Sequence, residues 1–273
     1  MSFISFRDII QEENIDVPLA SLLYARNIAY PDLNVDAYLH QLHLLSDQAR
    51  QTVLPDTPVT KQSDDLARFL FNDQAFTGDK AAFADPRSSF LNDVLDNRRG
   101  IPITLSLIYL TLAEQLGIPA QGIGLPGHFI VAVFDGVRII YRDPYNDGQT
   151  LTLEDCENLV RKTTGYDGRF LEDWLIPVTP QLILARMLNN LRITYAQMNR
   201  WEDTIAATEH LRLLQPDVTE YLRDLAIAHY NSGRLHRAAE FMEAYLQQTP
   251  DAPDAPMIRR MSSEIMARWA RLN

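Results

Sequence analysis

The chain has very little cysteine, and this scarcity excludes whole classes of architecture. Its 273 residues include a single cysteine, Cys156. A disulfide framework within the chain is therefore impossible, and a metal site of the CxxC type is absent. We expect a reducing, cytoplasmic location, no metal centre and no cofactor.

Basic charge is also in short supply. The chain has 25 Lys and Arg against 36 Asp and Glu, which gives a formal net charge of −11 and a pI of about 5.0. Binding to nucleic acid or to an anionic membrane needs a basic face, so we expect neither partner. The acidity is typical of a soluble surface, although a local basic patch such as Arg98-Arg99 is compatible with it.

Long apolar runs are missing as well. The longest candidates are broken by Pro, Gly or charge, and none reaches the roughly 18 residues of a membrane-spanning helix. The start, MSFISFRDIIQEEN, lacks a basic stretch followed by an apolar one. We therefore expect neither a membrane segment nor a secretory signal.

What the sequence does contain is periodic. Apolar residues at three- and four-residue spacing predict amphipathic helices within residues 1–95, in FRDIIQEE, DVPLASLLYARNIAY, NVDAYLHQLHLLSDQARQ and SDDLARFLFNDQ. The clearest helix is IPITLSLIYLTLAEQLG at 101–117, apolar almost all round and so predicted to be buried. Three short strands are predicted after it, AQGIG, HFIVAVF and VRIIYRD.

Two of these strands carry a candidate catalytic pair. Asp135-Gly136 between apolar runs predicts a two-residue hairpin turn, which pairs Phe134 with Val137. The same register sets His128 opposite Asp143, with Cβ atoms roughly 4.5–5.5 Å apart. We expect this sheet face to pack against helix 101–117. A histidine oriented by a carboxylate is two thirds of a catalytic triad, and the alternative is a structural hydrogen bond at the end of a sheet.

The third member of such a triad, a nucleophile, is hard to find. Cys156 lies in a polar segment, LTLEDCENLV, and we expect it to be inert and well away from His128. Thr104 and Ser106 lie in the first turns of helix 101–117, but a hydroxyl is a weak nucleophile without an adjacent base. Thr104 is equally suited to bonding the helix backbone.

The segment before this helix holds the candidate ligand-binding residues, Arg99 and Asn92. Arg99 belongs to Asn97-Arg98-Arg99-Gly100, where a guanidinium could contact an anion beside the helix N-terminus. The alternative is a solvated turn with one arginine in a salt bridge. Of the two arginines, Arg99 is the one we expect to have a buried structural role.

Residues 182–250 contain an internal repeat. At an offset of 34, Leu191 corresponds to Leu225, Asn199 to Gly233, and Pro216-Asp217 to Pro250-Asp251. A 34-residue unit of two helices ending in Pro is typical of tetratricopeptide repeats. We expect two antiparallel helix pairs, joined at NRW and GRL, with the final helix capping the stack.

The run SSFLNDVLDNRRGIPITLSLIYLTLAEQLGIPAQGIGLPGHFIVAVF, with RDPYNDGQTLTLEDC after it, resembles bacterial transglutaminase-like/TPR proteins of the sirB type, regulators of sirC expression. The resemblance covers roughly residues 70–160, and RRGIPI, PGHF and Asp143-Pro144 carry it. It implies a papain/transglutaminase-like core, whose wider superfamily uses Cys, His and Asp. His128 and Asp143 match the last two, but residues 102–104 contain no cysteine.

These patterns together predict an α+β papain/transglutaminase-like core, a central helix on a small antiparallel sheet, followed by an all-α tetratricopeptide-like tail. The expected domains are 1–175, a helical N-terminal region plus the core, and 180–273, the repeats. We expect a non-catalytic regulatory module that binds a protein partner through the tail. The alternatives are a residual hydrolase or transferase, in which His128 and Asp143 activate Thr104 or a water, and a purely structural scaffold.

Overall fold

The computed structural model describes residues 4–270, without the side chains of residues 81, 82 and 268–270. The chain divides into two compact units, residues 1–187 and 188–273. The α-helices and strands, in chain order, are α1 (Phe6–Ile9), α2 (Val17–Ile28), α3 (Val35–Ala49), α4 (Val59–Arg68), β1 (Thr77–Gly78), α5 (Leu91–Asn97), β2 (Arg99–Gly100), α6 (Pro102–Gln115), β3 (Ala120–Ile123), β4 (Ile130–Phe134), β5 (Ile139–Asp143), β6 (Gln149–Leu151), α7 (Leu153–Thr164), α8 (Pro180–Gln197), α9 (Trp201–Leu214), α10 (Glu220–Asn231), α11 (Leu235–Gln248) and α12 (Ala255–Ala270).

The first unit begins with helices whose boundaries follow their capping residues. The Asp16 carboxylate accepts a hydrogen bond from the Leu19 amide at 2.9 Å, and Asn34 caps α3 in the same way. The predicted helix 101–117 is α6, which begins at Pro102 and buries residues on all sides. Beyond its end, Gly117 adopts a φ of +73°, a left-handed conformation that ends many helices.

A four-stranded antiparallel sheet with the order β3-β4-β5-β6 packs behind these helices. The predicted two-residue turn is wrong. Phe134 pairs with Ile139, so the loop has four residues, and Val137 is 96% exposed rather than part of a strand. The Asp135 carboxylate accepts hydrogen bonds from the Val137 and Arg138 amides, which stabilises the longer loop. The register is therefore shifted by two residues, and an even shift keeps every side chain on its predicted face.

The packing partner of that face was predicted wrongly. Ile130 and Ala132 pack against Cys156 and Val160 of α7. Helix α6 lies against the opposite face, where a Cβ on Gly122 would come within 3.4 Å of Leu110 and closer still to Phe129. The sheet is therefore covered by helices on both faces, and this explains the almost uninterrupted burial of β4.

The second unit carries the predicted repeat. Helices α9, α10, α11 and α12 follow the part of α8 that begins at Leu188, with short connections between successive helices. Asn199 and Gly233, which are 34 residues apart, both adopt positive φ, at 56° and 80°. Each residue lies in the turn between two helices, so the two repeats use the same backbone conformation at equivalent positions. The last helix, α12, packs onto the second pair through Ile258 and Ile265.

Candidate functional site

Both carboxylate oxygens of Asp143 accept hydrogen bonds in the candidate site. Asp143 lies at the end of β5 and is fully buried. Its Oδ1 accepts from His128 Nε2 at 2.9 Å and from the Tyr145 amide at 3.0 Å, and its Oδ2 accepts from Asn146 Nδ2 at 2.6 Å. Pro144 begins the tight turn that places these donors around the carboxylate. The local sequence Asp-Pro-Tyr-Asn thus supplies two of the three donors that bind its own carboxylate.

His128 lies just before β4, and its Nε2 is hydrogen-bonded to Asp143 Oδ1 at 2.9 Å. The imidazole is 3% exposed, and its ring meets the ring of Tyr145 edge to face at 5.7 Å. Because an ionised carboxylate can only accept, the pair requires Nε2 to carry a proton. No hydrogen bond joins Nδ1 to another group in the described part of the chain. Nδ1 is therefore the ring nitrogen that could accept a proton as a general base.

Two arginines that the sequence analysis missed hold the backbone around this pair. Arg186 of α8 donates to the carbonyls of Leu125 and His128, at 2.9 and 2.6 Å, and fixes the loop before β4. Burial lowers the pKa of Arg186. Arg142 donates from Nη1 to the carbonyl of Gly148 at 3.2 Å, on the far side of the Asp143 turn. Sequence spacing could not reveal these bonds, because Arg186 lies 58 residues from His128.

Arg142 also belongs to a second buried network. Its Nε donates to Ser63 Oγ at 2.8 Å, and Ser63 Oγ is in turn 2.9 Å from the hydroxyl of Tyr109. Nη2 forms an ion pair with Asp64, whose side chain is 63% exposed. Burial raises the pKa of Tyr109 to about 12, so its hydroxyl stays protonated. The strand that carries Asp143 is thereby tied to α4 and α6.

The candidate hydroxyls are bonded to the backbone. Thr104 Oγ1 is fully buried and lies 3.0 Å from the carbonyl oxygens of Ser88 and Ile101, while it accepts from the Ile101 amide at 3.1 Å. Thr104 was a candidate nucleophile or a hydroxyl that bonds the helix backbone, and these contacts match the second alternative. Ser106 Oγ is also buried, with a long 3.5 Å contact to the carbonyl of Phe129.

Cys156 lies in α7, within the apolar cluster behind the sheet, and is fully buried. Burial, together with the nearby carboxylates of Asp155 and Asp143, raises the pKa of its thiol to about 11. The thiolate is the reactive form of cysteine, so this environment suppresses reactivity. The segment is polar in sequence, but its helix turns Cys156 inward.

Cys156 will react slowly with thiol reagents in the native protein. At pH 8 a thiol with a pKa of about 11 is about 0.1% thiolate, whereas an ordinary cysteine is roughly a quarter ionised. We expect modification by iodoacetamide to be at least a hundredfold slower in native protein than in 8 M urea, as measured by mass spectrometry. Equal rates in the two conditions would contradict the buried position.

The expected roles of the two adjacent arginines are reversed. Arg99, expected to be buried, has a side chain that is 65% exposed and pairs with Asp79 at 3.0 Å. Arg98 is the partly buried one, with its guanidinium 4.4 Å from the centre of the Phe76 ring and its pKa lowered by burial. The left-handed conformation of Arg98 at the end of α5, with a φ of 58°, turns its side chain inward.

Asn92, the other candidate ligand-binding residue, is buried in α5, and its Oδ1 has no hydrogen-bond partner among the described residues. Arg99 lines a charged cavity of about 250 Å³ whose other lining residues are Asp79, Asp85, Arg87, Ser88, Asp93 and Asn97. Asn92 is not among the lining residues. The two candidate ligand residues are therefore not brought together in one site.

Tyr145 contacts the buried His128–Asp143 pair, because its ring meets the His128 ring edge to face. Burial raises the pKa of Tyr145, and the charges of Asp79 and Asp143 act in the same direction. The position of Tyr145 requires a glycine at residue 78, because a Cβ on Gly78 would lie 2.3 Å from the Tyr145 carbonyl oxygen. Gly78 of β1 pairs with Gly100 of β2 in a short parallel ladder.

Within residues 4–270, no three His, Cys, Asp or Glu side chains are grouped closely enough to hold a metal ion. Over the same residues, every helix is too short or too polar to cross a lipid bilayer.

The central helix, the antiparallel sheet and the histidine–aspartate pair agree with the family to which the sequence is matched. Residues 36–189 match the transglutaminase-like superfamily, and residues 191–262 match the tetratricopeptide repeat. The chain therefore belongs to the transglutaminase-like superfamily and carries a tetratricopeptide region after that domain. The predicted fold class, and the predicted membership of a bacterial transglutaminase-like/TPR family, are confirmed.

A UPF0162 protein of Xylella fastidiosa is 32% identical to the chain over 255 aligned residues. The aligned region covers 92% of this chain and 90% of that protein. A UPF0162 protein of Vibrio cholerae is 25% identical over 235 residues, 83% of this chain and 86% of that protein. F-box only protein 21 of Mus musculus is 30% identical over 202 residues, 70% of this chain but 29% of that protein. The match thus covers most of the length of each bacterial relative but less than a third of the length of the mouse protein.

Proposed function

We propose that this protein is a non-catalytic regulatory module, which binds a protein partner through its repeat region. The observation that carries the proposal is the state of Thr104. Its hydroxyl lies near the start of α6, where the resemblance implies a nucleophile, and it is bonded to Ser88 and Ile101 on the backbone. Its one proton is directed at a backbone carbonyl, and no hydrogen bond joins the hydroxyl to His128 in the described chain, so the base has no hydroxyl placed for activation.

The bonding of Asp143 supports a structural role for the pair. Three donors surround its carboxylate, and one of them is His128 Nε2. Such a satisfied buried group orders the turn between β5 and β6 whether or not it takes part in chemistry. The repeat region supplies the partner-binding element, because stacked helical repeats present an extended surface for another chain.

A second candidate function is a residual hydrolase with a water nucleophile, and one observation favours it. Nδ1 of His128 has no hydrogen-bond partner in the described chain, while Asp143 fixes the orientation of the ring. A general base needs an unprotonated nitrogen within hydrogen-bond reach of a water. The non-catalytic function is preferred because no side-chain hydroxyl or thiol of the described chain is hydrogen-bonded to His128.

The purified full-length protein is expected to show no turnover of amide or ester substrates. Thiol-dependent transfer needs a thiolate, and the Cys156 thiol has its pKa raised to about 11. Wild type, Cys156→Ala and His128→Gln should all match the rate of buffer without protein. Turnover that survives Cys156→Ala and disappears in His128→Gln would favour the hydrolase instead.

The binding half of the proposal is tested in the same protein. Ile193 and Leu213 are exposed apolar residues of the repeat region, and Leu153 and Ile176 are matched exposed residues of the first unit. Affinity capture from cells of the native organism should yield a partner with wild type and with Leu153→Glu/Ile176→Glu. The Ile193→Glu/Leu213→Glu variant should lose it. Equal recovery with all three proteins would argue against the repeat surface.

A further inference from the structure

A second cavity in the first unit is larger than the charged one and lies at the opposite end of α6. Its volume is about 860 Å³, and its walls come from the start of α2, the middle of α3, the C-terminal half of α6 and the segment after it. Residues Leu107, Leu110, Thr111 and Glu114 of α6 line it. Their spacing of three, four and seven residues forms one helix stripe. The cavity is therefore a groove along the central helix, away from the start of α6.

The floor of this groove is apolar. Leu39 and Leu110 are only half buried, and the buried side chains of Ile118 and Ile183 also line the groove. An apolar cavity of this volume is at the upper end of the range that suits a bound ligand. Leaving such side chains half exposed costs free energy that a bound apolar group would recover, at about 25 cal/mol per Å² of surface removed from water.

The Asp, Glu, Lys and Arg residues that line the groove are all acidic, and His43 is its one titratable histidine. The charged lining residues are Glu13, Asp16 and Glu114, while Lys and Arg do not occur among the lining residues. Asp16 caps α2, so its carboxylate is partly neutralised by the helix. Glu13 and Glu114 are exposed and form no ion pair within the described chain. Two uncompensated carboxylates at the rim attract cations over about a Debye length, roughly 8–10 Å at physiological salt.

We propose that this groove binds a segment of a partner protein with apolar side chains flanked by Lys or Arg. The apolar side chains occupy the floor beside Leu110, and the basic residues pair with Glu13 and Glu114 at the rim. Charge complementarity of this kind sets specificity and association rate more than affinity. The groove is separate from the repeat surface of the proposed function, so it gives the protein a second recognition surface.

The test is a selection of phage-displayed random 12-residue peptides on the full-length protein. Enriched peptides should place Lys or Arg on either side of two or more apolar residues. Their dissociation constants, measured by fluorescence anisotropy on synthetic copies, should rise at least tenfold in Glu13→Lys/Glu114→Lys. The rise should be less than twofold in Glu154→Lys/Glu172→Lys, which changes two exposed glutamates elsewhere in the first unit to the same net charge. Raising the salt from 50 to 300 mM should weaken binding to wild type.

Three outcomes would overturn the proposal. The selection could enrich no peptide, or only peptides with neutral or acidic flanks. Binding could be equal in the groove variant and its matched control, which would assign it to the overall acidity of the chain. The protein could form a dimer in sedimentation that only the groove variant dissociates, which would make a second copy the occupant. None of these results bears on partner capture by the repeat region, so the two proposals fail separately.

Discussion

Replacing Asp143 with alanine will destabilise the protein by about 3–5 kcal/mol, because three donors lose a buried acceptor and each such loss costs about 1–3 kcal/mol. The carboxylate is fully buried and accepts from His128 Nε2, the Tyr145 amide and Asn146 Nδ2. Alanine accepts from none of them, so three buried donors lose their partner at once. The free energy of unfolding, measured in urea by linear extrapolation, reports the loss.

Asp56→Ala is the matched control for this substitution. Asp56 is exposed, and a surface change of this kind normally alters stability by less than about 0.5 kcal/mol. Asp143→Asn adds a second comparison, because it keeps the shape but turns a donor towards other donors, and we expect it to be destabilising as well. A loss below about 1 kcal/mol for Asp143→Ala would mean that the carboxylate does not organise the turn after β5.

The second large effect is expected at Arg142. Arg142→Leu should lower the free energy of unfolding by about 2–4 kcal/mol, because Ser63 Oγ and the Gly148 carbonyl lose a charged donor inside the protein. The leucine is shorter than the arginine and leaves a void beside Tyr109, which adds to the cost. Thermal or urea unfolding followed by circular dichroism measures the change.

The ion pair of Arg142 with Asp64 offers a built-in control. The Arg142 side chain is 6% exposed and the Asp64 side chain 63%, so Asp64→Ala removes one carboxylate from Arg142 but keeps its hydrogen bonds to Ser63 and Gly148. Asp64→Ala should therefore cost less than Arg142→Leu, which removes all of these contacts. If Asp64→Ala proved as damaging as Arg142→Leu, the ion pair rather than the buried network would be the source of the stability.

Local sequence patterns predicted much of the fold, and the particular failures have physical causes. Helices α6 and α8 to α11 were predictable, since their periodicity and turn residues are local. The hairpin register was not, because Asp135 bonds two amides of a four-residue loop and so outweighs the preference for a two-residue turn. The two-residue strands β1 and β2 carry no sequence signal, since their pairing joins residues 22 apart.

For the site, the histidine–aspartate contact was predictable and its surroundings were not. The error in the register is an even number of residues, so Asp143 keeps its predicted face and lies within hydrogen-bond reach of His128 just before β4. The reversal of Arg98 and Arg99 depends on one backbone angle at the end of α5, which the sequence Asn-Arg-Arg-Gly does not specify. Arg142 and Arg186 act through backbone carbonyls, and an arginine that binds a carbonyl looks like any surface arginine in a sequence.

The loop at residues 135–138 has a practical consequence. Val131 and Val133 of β4 are fully buried and pair with Arg142 and Ile140 of β5, so the pairing of the two strands extends well away from the turn that connects them. A Cβ on Gly136 would meet nothing within 4 Å, and Val137 projects into solvent. A peptide tag or a fluorescent label can therefore be inserted between Gly136 and Val137 while His128 and Asp143 stay in place, which offers an attachment point for observing the protein with its partners.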